Sequence, residues 1–134
     1  INQKIKKREL FRPFAPSTVA ETMGTFFEMD QMSPYMNIVA NVKKDNIPAV
    51  THVDGTARVH TVTKRVNKRY YDLISRFGEK TSVPVLLNTS FNIQEPIVYS
   101  PKDAINTFIN SGVDILVIDD YIVKREDLKK FKKS

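Results

Sequence analysis

The sequence predicts a mixed α/β (α+β) fold, a twisted open sheet with flanking helices, and three observations lead there. Short β-favouring runs recur along the chain, among them Ala57 to Val62, Val85 to Leu87 and Ile115 to Ile118. Amphipathic helical patterns lie between them, at Asn67 to Lys80 and Ser100 to Asn110. No repeat, low-complexity tract or linker interrupts this alternation, so the elements are expected to share one sheet.

Taken in order, Ile1 to Arg8 reads as the end of a helix, with Ile1 and Ile5 at i, i+4 spacing and a stop at Pro13 and Pro16. Phe11 to Ala15 reads as extended. Ser17 offers an N-cap for a helix over about residues 18–28, with Val19, Met23, Phe26 and Phe27 as its apolar stripe. Met36 to Val42 has the composition of a strand, and Lys43 to Asn46 of a turn. Ala49 to Val53 alternates, Asp54-Gly55 is a strong turn pair, and Ala57 to Val62 alternates again, which predicts a hairpin. Tyr70, Tyr71, Leu73, Ile74 and Phe77 make the stripe of the next helix. Pro84 to Leu87 is a strand that runs straight into Asn88-Thr89-Ser90-Phe91-Asn92. Ser100-Pro101 starts a helix to about Asn110, with serine as cap and proline in the first turn, and Ser111-Gly112 stops it. Two short strands, Asp114 to Ile118 and Tyr121 to Lys124, close the chain around Asp119-Asp120.

A chain of 134 residues fits one domain with its own core, here over residues 1–124, followed by a basic tail over 125–134. The formal charge of +6 is concentrated at the two ends, in Lys4, Lys6, Lys7, Arg8 and Arg12 and in the run from Lys124 to Lys133. Such terminal charge reads first as a solvated helix or frayed tail, and a basic footprint by itself identifies no nucleic-acid partner. The absence of cysteine excludes disulfides, thiolate metal sites and cysteine nucleophiles, and favours a reducing, cytoplasmic setting. The longest apolar run, Ile115 to Ile118, is far too short to span a bilayer, so no membrane partner is expected. Opening on Ile1 within a basic amphipathic stretch, the sequence reads as a piece of a larger protein.

Three polar constellations could carry chemistry. Lys6, Lys7, Arg8 and Arg12 combine arginine forks with mobile ammonium charges, which suits phosphate oxygens, although a solvated helix face would look the same for Lys6 and Lys7. In His52-Val53-Asp54-Gly55-Thr56-Ala57-Arg58, period-two alternation puts His52 and Asp54 on one face and the turn returns Arg58 toward them. An ordinary turn with a satisfied histidine explains that segment equally, and no further ligands complete a metal site. Asn88, Thr89, Ser90 and Asn92 can hold a base edge, a ribose or phosphate oxygens without adding charge, or can bond their own backbone in Asx and ST turns. Neither a Gly-x-x-x-x-Gly-Lys phosphate loop nor a Gly-x-Gly-x-x-Gly turn occurs.

Four segments in order, Lys6-x-Arg8-Glu9-x-Phe11-Arg12-Pro13-Phe14-Ala15-Pro16, His52 to Arg58, Pro84 to Asn92 and Glu95-Pro96-Ile97-Val98, resemble the C-terminal YrdC-like domain of NodU/CmcH-type O-carbamoyltransferases. The resemblance covers about residues 1 to 124. It implies a twisted α/β sheet around a positive cavity and a domain that makes carbamoyl-adenylate from carbamoyl phosphate and ATP. An upstream Kae1-like domain would then pass the carbamoyl group to a hydroxyl. Under this resemblance Lys6, Arg8, Arg12 and Arg58 act on phosphate and carbamoyl oxygens, His52, Asp54 and Thr56 position the small substrate or Arg58, and Asn88, Thr89, Ser90 and Asn92 hold the nucleotide. ATP serves as substrate, with Mg2+ held through its phosphates and water and no metal held by protein ligands alone. The chain departs from the family pattern at His60, where glutamine is expected, at Leu10, where proline is common, and at Gln94, which directly precedes Glu95 where many relatives have an extra glycine. An upstream Gly-Pro-Arg-Ala-Leu-Gly-type segment of the family is also missing; a chain without it would expose a sheet edge, could pair into a homodimer and would lack activity. The alternative is a YrdC-like nucleotide- or RNA-binding module without catalysis, against which the helical placement of Phe26, Phe27, Tyr70, Tyr71 and Phe77 argues, because single-strand binders need exposed stacking rings.

Overall fold

The computed structural model describes residues 1–131 and confirms a mixed α+β class. Two compact units form, one from Pro13–Thr89 and one from Ile1–Arg12 together with the chain from Ser90 onward.

The Pro13–Thr89 unit is built on a four-stranded mixed sheet of order β2-β3-β1-β4, with β1 at Ala15–Val19, β2 at Ile38–Asn41, β3 at Thr56–Val62 and β4 at Val85–Asn88. Strand β1 runs parallel to β3, with Ser17 beside His60, and antiparallel to β4, with Ser17 beside Leu86. Strand β2 lies antiparallel to β3 at the far edge. Phe26, Phe27, Ala40, Ile47, Val50, Ala57, Val59 and Val85 form the core on one face. On the other face helix α2 (Lys68–Thr81) lays Ile74, Tyr70 and Tyr71 over Val19, Val62 and Leu86. Its start is fixed by Asn67, whose side chain accepts from the Tyr70 N–H, and its end by Ser82 in the left-handed region at φ 62°.

Two elements differ from the sequence expectation. The helix expected over 18–28 is instead strand β1, then one tight turn at Ala20–Thr22 and a single helical turn, α1, at Met23–Phe26. All five residues of β1 are buried between neighbours, and Ser17 and Thr18 spend their hydroxyls inside the sheet: Thr18 donates to the Pro84 carbonyl at 3.0 Å and Ser17 lies 2.9 Å from His60 Nδ1. Two-sided strand pairing therefore overrides a local capping signal. The strand expected over 49–53 is also absent. Pro48–Val50 makes one tight turn, and the His52 N–H bonds the Thr56 carbonyl while Gly55 N–H bonds that of His52. That loop uses the backbone groups a hairpin would need, so β3 pairs with β2 instead.

The second unit opens with one wide helical turn at Asn2–Lys6, ended by Lys7 at φ 48°. Helix α3 (Pro101–Asn110) is capped by Ser100, which accepts from the Asp103 N–H. Strands β5 (Ile115–Ile118) and β6 (Tyr121–Lys124) form a separate antiparallel pair, so the chain carries two sheets where one was expected. Ala104, Phe108 and Leu116 are its core, joined by Phe91, Val98, Val113, Ile118, Val123 and Leu128. The region expected as a tail begins as helix α4 (Arg125–Phe131) and is tied down at its first residue. Arg125 donates to the carbonyls of Phe108 in the last turn of α3 and of Ser111 and Val113 just beyond it, and its guanidinium lies 5.0 Å over the Phe108 ring. Lys132, Lys133 and Ser134 lie outside the described residues.

Candidate anion-binding site

In the terminal unit the predicted cations and the Ser90–Asn92 segment line one cleft of about 460 Å3, walled by Lys6, Lys7, Arg8, Glu9, Arg12, Ser90, Asn92, Ile93 and Gln94. Lys6 is 3% exposed, the most enclosed of these cations. Its ammonium donates to the Ser90 carbonyl at 2.9 Å and Oγ at 3.2 Å, and to the Asn92 carbonyl at 2.7 Å and Oδ1 at 2.6 Å. Four acceptors around three N–H groups leave the ammonium saturated by the protein. Burial, and then the Arg8 charge, hold its pKa below the usual lysine value, with Glu95 opposing and Arg12 assisting.

Sequence reasoning did not find the residues that shape this cleft. Asn2 is buried, donates to the Leu10 and Arg12 carbonyls at 3.0 and 2.8 Å and accepts from Arg8 Nε at 2.8 Å, so one amide folds the Lys6–Arg12 segment back on itself. Glu95 accepts from the Ile93 and Gln94 N–H groups, each at 3.0 Å, and from Thr107 Oγ1 at 2.8 Å. Its own backbone N–H, then that of Ile93, the Thr107 hydroxyl and the Gln94 N–H pull its pKa down to about 2. The pairing of Glu95 with Pro96 was visible as a motif, but its target, Thr107 on α3, was not. Arg12 is exposed and pairs with Glu9 at 3.8 Å. Arg8 and Arg12 thus put two guanidinium groups on the wall of a cleft that holds a single carboxylate, Glu9. Such an arrangement attracts a polyanion and offers it fork-shaped donors.

In the other unit, His52, Asp54 and Thr56 are brought together by the loop rather than by strand alternation. Thr56 donates through both its N–H and Oγ1 to Asp54 Oδ1, at 3.0 and 2.7 Å, and His52 Nδ1 lies 3.1 Å from Thr56 Oγ1. Those two bonds lower the Asp54 pKa. Gly55 turns this loop at φ 81°, a conformation that favours glycine. Arg58 follows on β3 at an exposed position beside Val39. Among the described residues no group of three or more His, Cys, Asp or Glu side chains could hold a metal ion, and no helix is long and apolar enough to cross a membrane.

Asn88 ends β4 in the same unit and turns its amide onto the sheet. Its Nδ2 donates to Ser17 Oγ at 3.0 Å and faces Met36 Sδ at 3.7 Å. His60, stacked 6.3 Å from the Tyr70 ring, closes the group, and burial keeps its pKa below the usual value. Thr89 is exposed just beyond.

Comparison with known proteins places this sequence among relatives. Residues 1–125 match the family described as the carbamoyltransferase C-terminus. The nodulation protein NolNO of Sinorhizobium fredii is 48% identical over 132 residues, covering 93% of this chain and 19% of that protein. NolO of Bradyrhizobium diazoefficiens is likewise 48% identical over 132 residues, covering 93% of this chain and 24% of that protein. A 3'-hydroxymethylcephem-O-carbamoyltransferase of Amycolatopsis lactamdurans is 36% identical over 126 residues, covering 92% and 24%. The chain thus spans a quarter or less of the length of these relatives.

Proposed function

Because the chain belongs to the carbamoyltransferase C-terminus family, we propose that it forms the part of an ATP-dependent O-carbamoyltransferase that makes carbamoyl-adenylate. The observation that supports this most is the Lys6-saturated loop of Ser90 and Asn92 set beside Arg8 and Arg12. A buried ammonium fixes the neutral wall of the cleft, and the exposed Arg12 places a guanidinium beside it for an incoming phosphate chain.

In this reading water attacks the phosphorus of carbamoyl phosphate, the bond from phosphorus to the carbamoyl oxygen breaks, and inorganic phosphate and carbamate result. A carbamate oxygen attacks the α-phosphorus of ATP, the bond to the bridging oxygen breaks and pyrophosphate departs. Negative charge accumulates on the α-phosphoryl oxygens and on the leaving group. Cations fixed beforehand stabilise it most, because they do not have to reorganise as the charge develops. Arg8 and Arg12 supply that charge, while Lys6 positions Ser90 and Asn92. His52, Asp54 and Thr56 orient the small substrate or Arg58, and Asn88 and Thr89 contact the nucleotide. Mg2+ arrives on the triphosphate, held by phosphate oxygens and water, which suits a cleft whose sole carboxylate is paired with Arg12. A Kae1-like domain elsewhere in the full-length protein passes the carbamoyl group to an acceptor hydroxyl, releasing AMP.

The test is pyrophosphate release from ATP by the full-length protein, with and without carbamoyl phosphate. We expect release to depend on carbamoyl phosphate, to fall about 100-fold in Arg12→Ala and about tenfold in Ser90→Ala. Release independent of carbamoyl phosphate, or full activity in both variants, rejects the proposal. Salt-sensitive RNA binding in place of turnover would establish the nucleic-acid module instead.

A further inference from the structure

His60 is the residue whose identity the carbamoyl-adenylate reading leaves unused, and its surroundings form a directional chain of hydrogen bonds across three strands. Asn88 Nδ2 donates to Ser17 Oγ and faces Met36 Sδ, which can only accept, so the Ser17 proton is turned to His60 Nδ1 at 2.9 Å and the neutral ring carries its own proton on Nε2. The Ser17 hydroxyl, fully buried, therefore donates to His60 and has only lone pairs left for Asn88. Asn88 answers with Nδ2, which donates to Ser17 Oγ at 3.0 Å and also faces His60 Nδ1 at 3.4 Å and Met36 Sδ at 3.7 Å. Three acceptors converge on one end of the amide. Its other end, Oδ1, receives no hydrogen bond from any described residue and is not sealed from solvent.

We infer that Asn88 is a specificity residue that presents a fixed hydrogen-bond acceptor to an N–H donor of the substrate, an amino or carboxamide group, with its orientation set by His60 through Ser17. Left to itself an asparagine amide can turn either end outward, and only a set of acceptors of known polarity fixes which end points out. His60 is thus a positioning residue: Nδ1 takes the proton of the Ser17 hydroxyl, which leaves Ser17 only lone pairs to offer, and with Met36 Sδ these hold the amino end of Asn88 inward. A polar site of this kind discriminates against an analogue that lacks the donor, because Oδ1 is then left facing a group that cannot bond it. The inference rests on the carbamoyl-adenylate reading, in which two substrates carry such a donor: the carbamoyl NH2 and the exocyclic amine of adenine.

Calorimetric titration of the full-length protein with carbamoyl phosphate against acetyl phosphate, and with ATP against inosine triphosphate, separates these sources. Each second compound lacks the amino group. Wild-type protein is expected to prefer the amino-bearing member of one pair by about fivefold, the worth of one neutral hydrogen bond. Asn88→Ala and His60→Leu should abolish that preference. His60→Gln, which can still accept from Ser17, should keep it. Equal affinity within both pairs, or a preference that survives in Asn88→Ala, overturns the inference while leaving the carbamoyl-adenylate reading intact. Failure to bind any of the four compounds overturns both. Should His60→Leu not fold, the half-buried Asn88→Ala carries the decision.

Discussion

Through its carboxylate Glu95 ties the Ile93–Gln94 backbone to Thr107 on helix α3, and it does so most strongly when charged. Its own backbone N–H, then that of Ile93, the Thr107 hydroxyl and the Gln94 N–H favour the charged carboxylate and lower its pKa from 4.5 to about 2. A depressed carboxylate contributes stability that is complete above the unfolded value and is lost as pH falls through the folded one. Stability of this unit should therefore decline between pH 4.5 and about 2 on account of Glu95. Carboxyl-carbon NMR should show Glu95 titrating near the lower limit, and Glu95→Gln should flatten the acid limb of a urea-denaturation series over that interval. A midpoint at the ordinary glutamate value would reject the assignment. The same residue-level view separates two kinds of cation in the cleft. Lys6 has its donors filled by Ser90 and Asn92, whereas Arg12 is exposed with a long ion pair to Glu9, so the two are expected to fail differently when replaced.

At the scale of elements, the approach of α2 to β4 depends on Gly78. A methyl group built there would lie 2.7 Å from Pro84 Cβ and 3.0 Å from its Cα. Alanine would gain about 1 kcal/mol of helix propensity but force an overpacked contact costing about 1–3 kcal/mol. Because the opposing atoms belong to a ring and the backbone, the clash should win. Gly78→Ala is predicted to lose about 1 kcal/mol net, read as a lower urea midpoint at unchanged slope; a stabilised variant would mean that α2 can shift freely on the sheet. Strong local patterns made most elements legible in the sequence. Helices α2 and α3 carry Asn67 and Ser100 at their caps, and β3, β4, β5 and β6 are β-branched runs between turn residues. Strand β1 was not legible, because Ala15-Pro16-Ser17-Thr18-Val19 has a loop-like composition whose hydroxyls are satisfied by Pro84 and His60, partners that only the tertiary structure supplies.

Across the whole molecule, the candidate site was legible as residue types and order, not as roles. Lys6 and Ser90 stand 84 positions apart, and nothing in spacing or composition joins them; the resemblance to known motifs did. Saturation of Lys6, the Asn2 brace and the orientation of Asn88 are consequences of distant packing and left no local trace. The central place of β1 also bears on how the chain reaches its native state. Its partners are remote, with Ser17 lying 43 positions from His60 and 71 from Asn88. The middle of the sheet must therefore wait for two long loop closures, whose entropy is lost before any contact there is gained. Stopped-flow refolding of the Pro13–Thr89 sheet, followed in the full chain, should fall in the millisecond-to-second range typical of non-local strand pairing, and microsecond refolding would contradict this. On a ribosome the consequence is sharper: β1 leaves the exit tunnel well before either strand that will flank it, and must stay soluble meanwhile. Its Pro16, Ser17 and Thr18, poor material for a buried strand by composition, keep that waiting segment from pairing with the wrong neighbour.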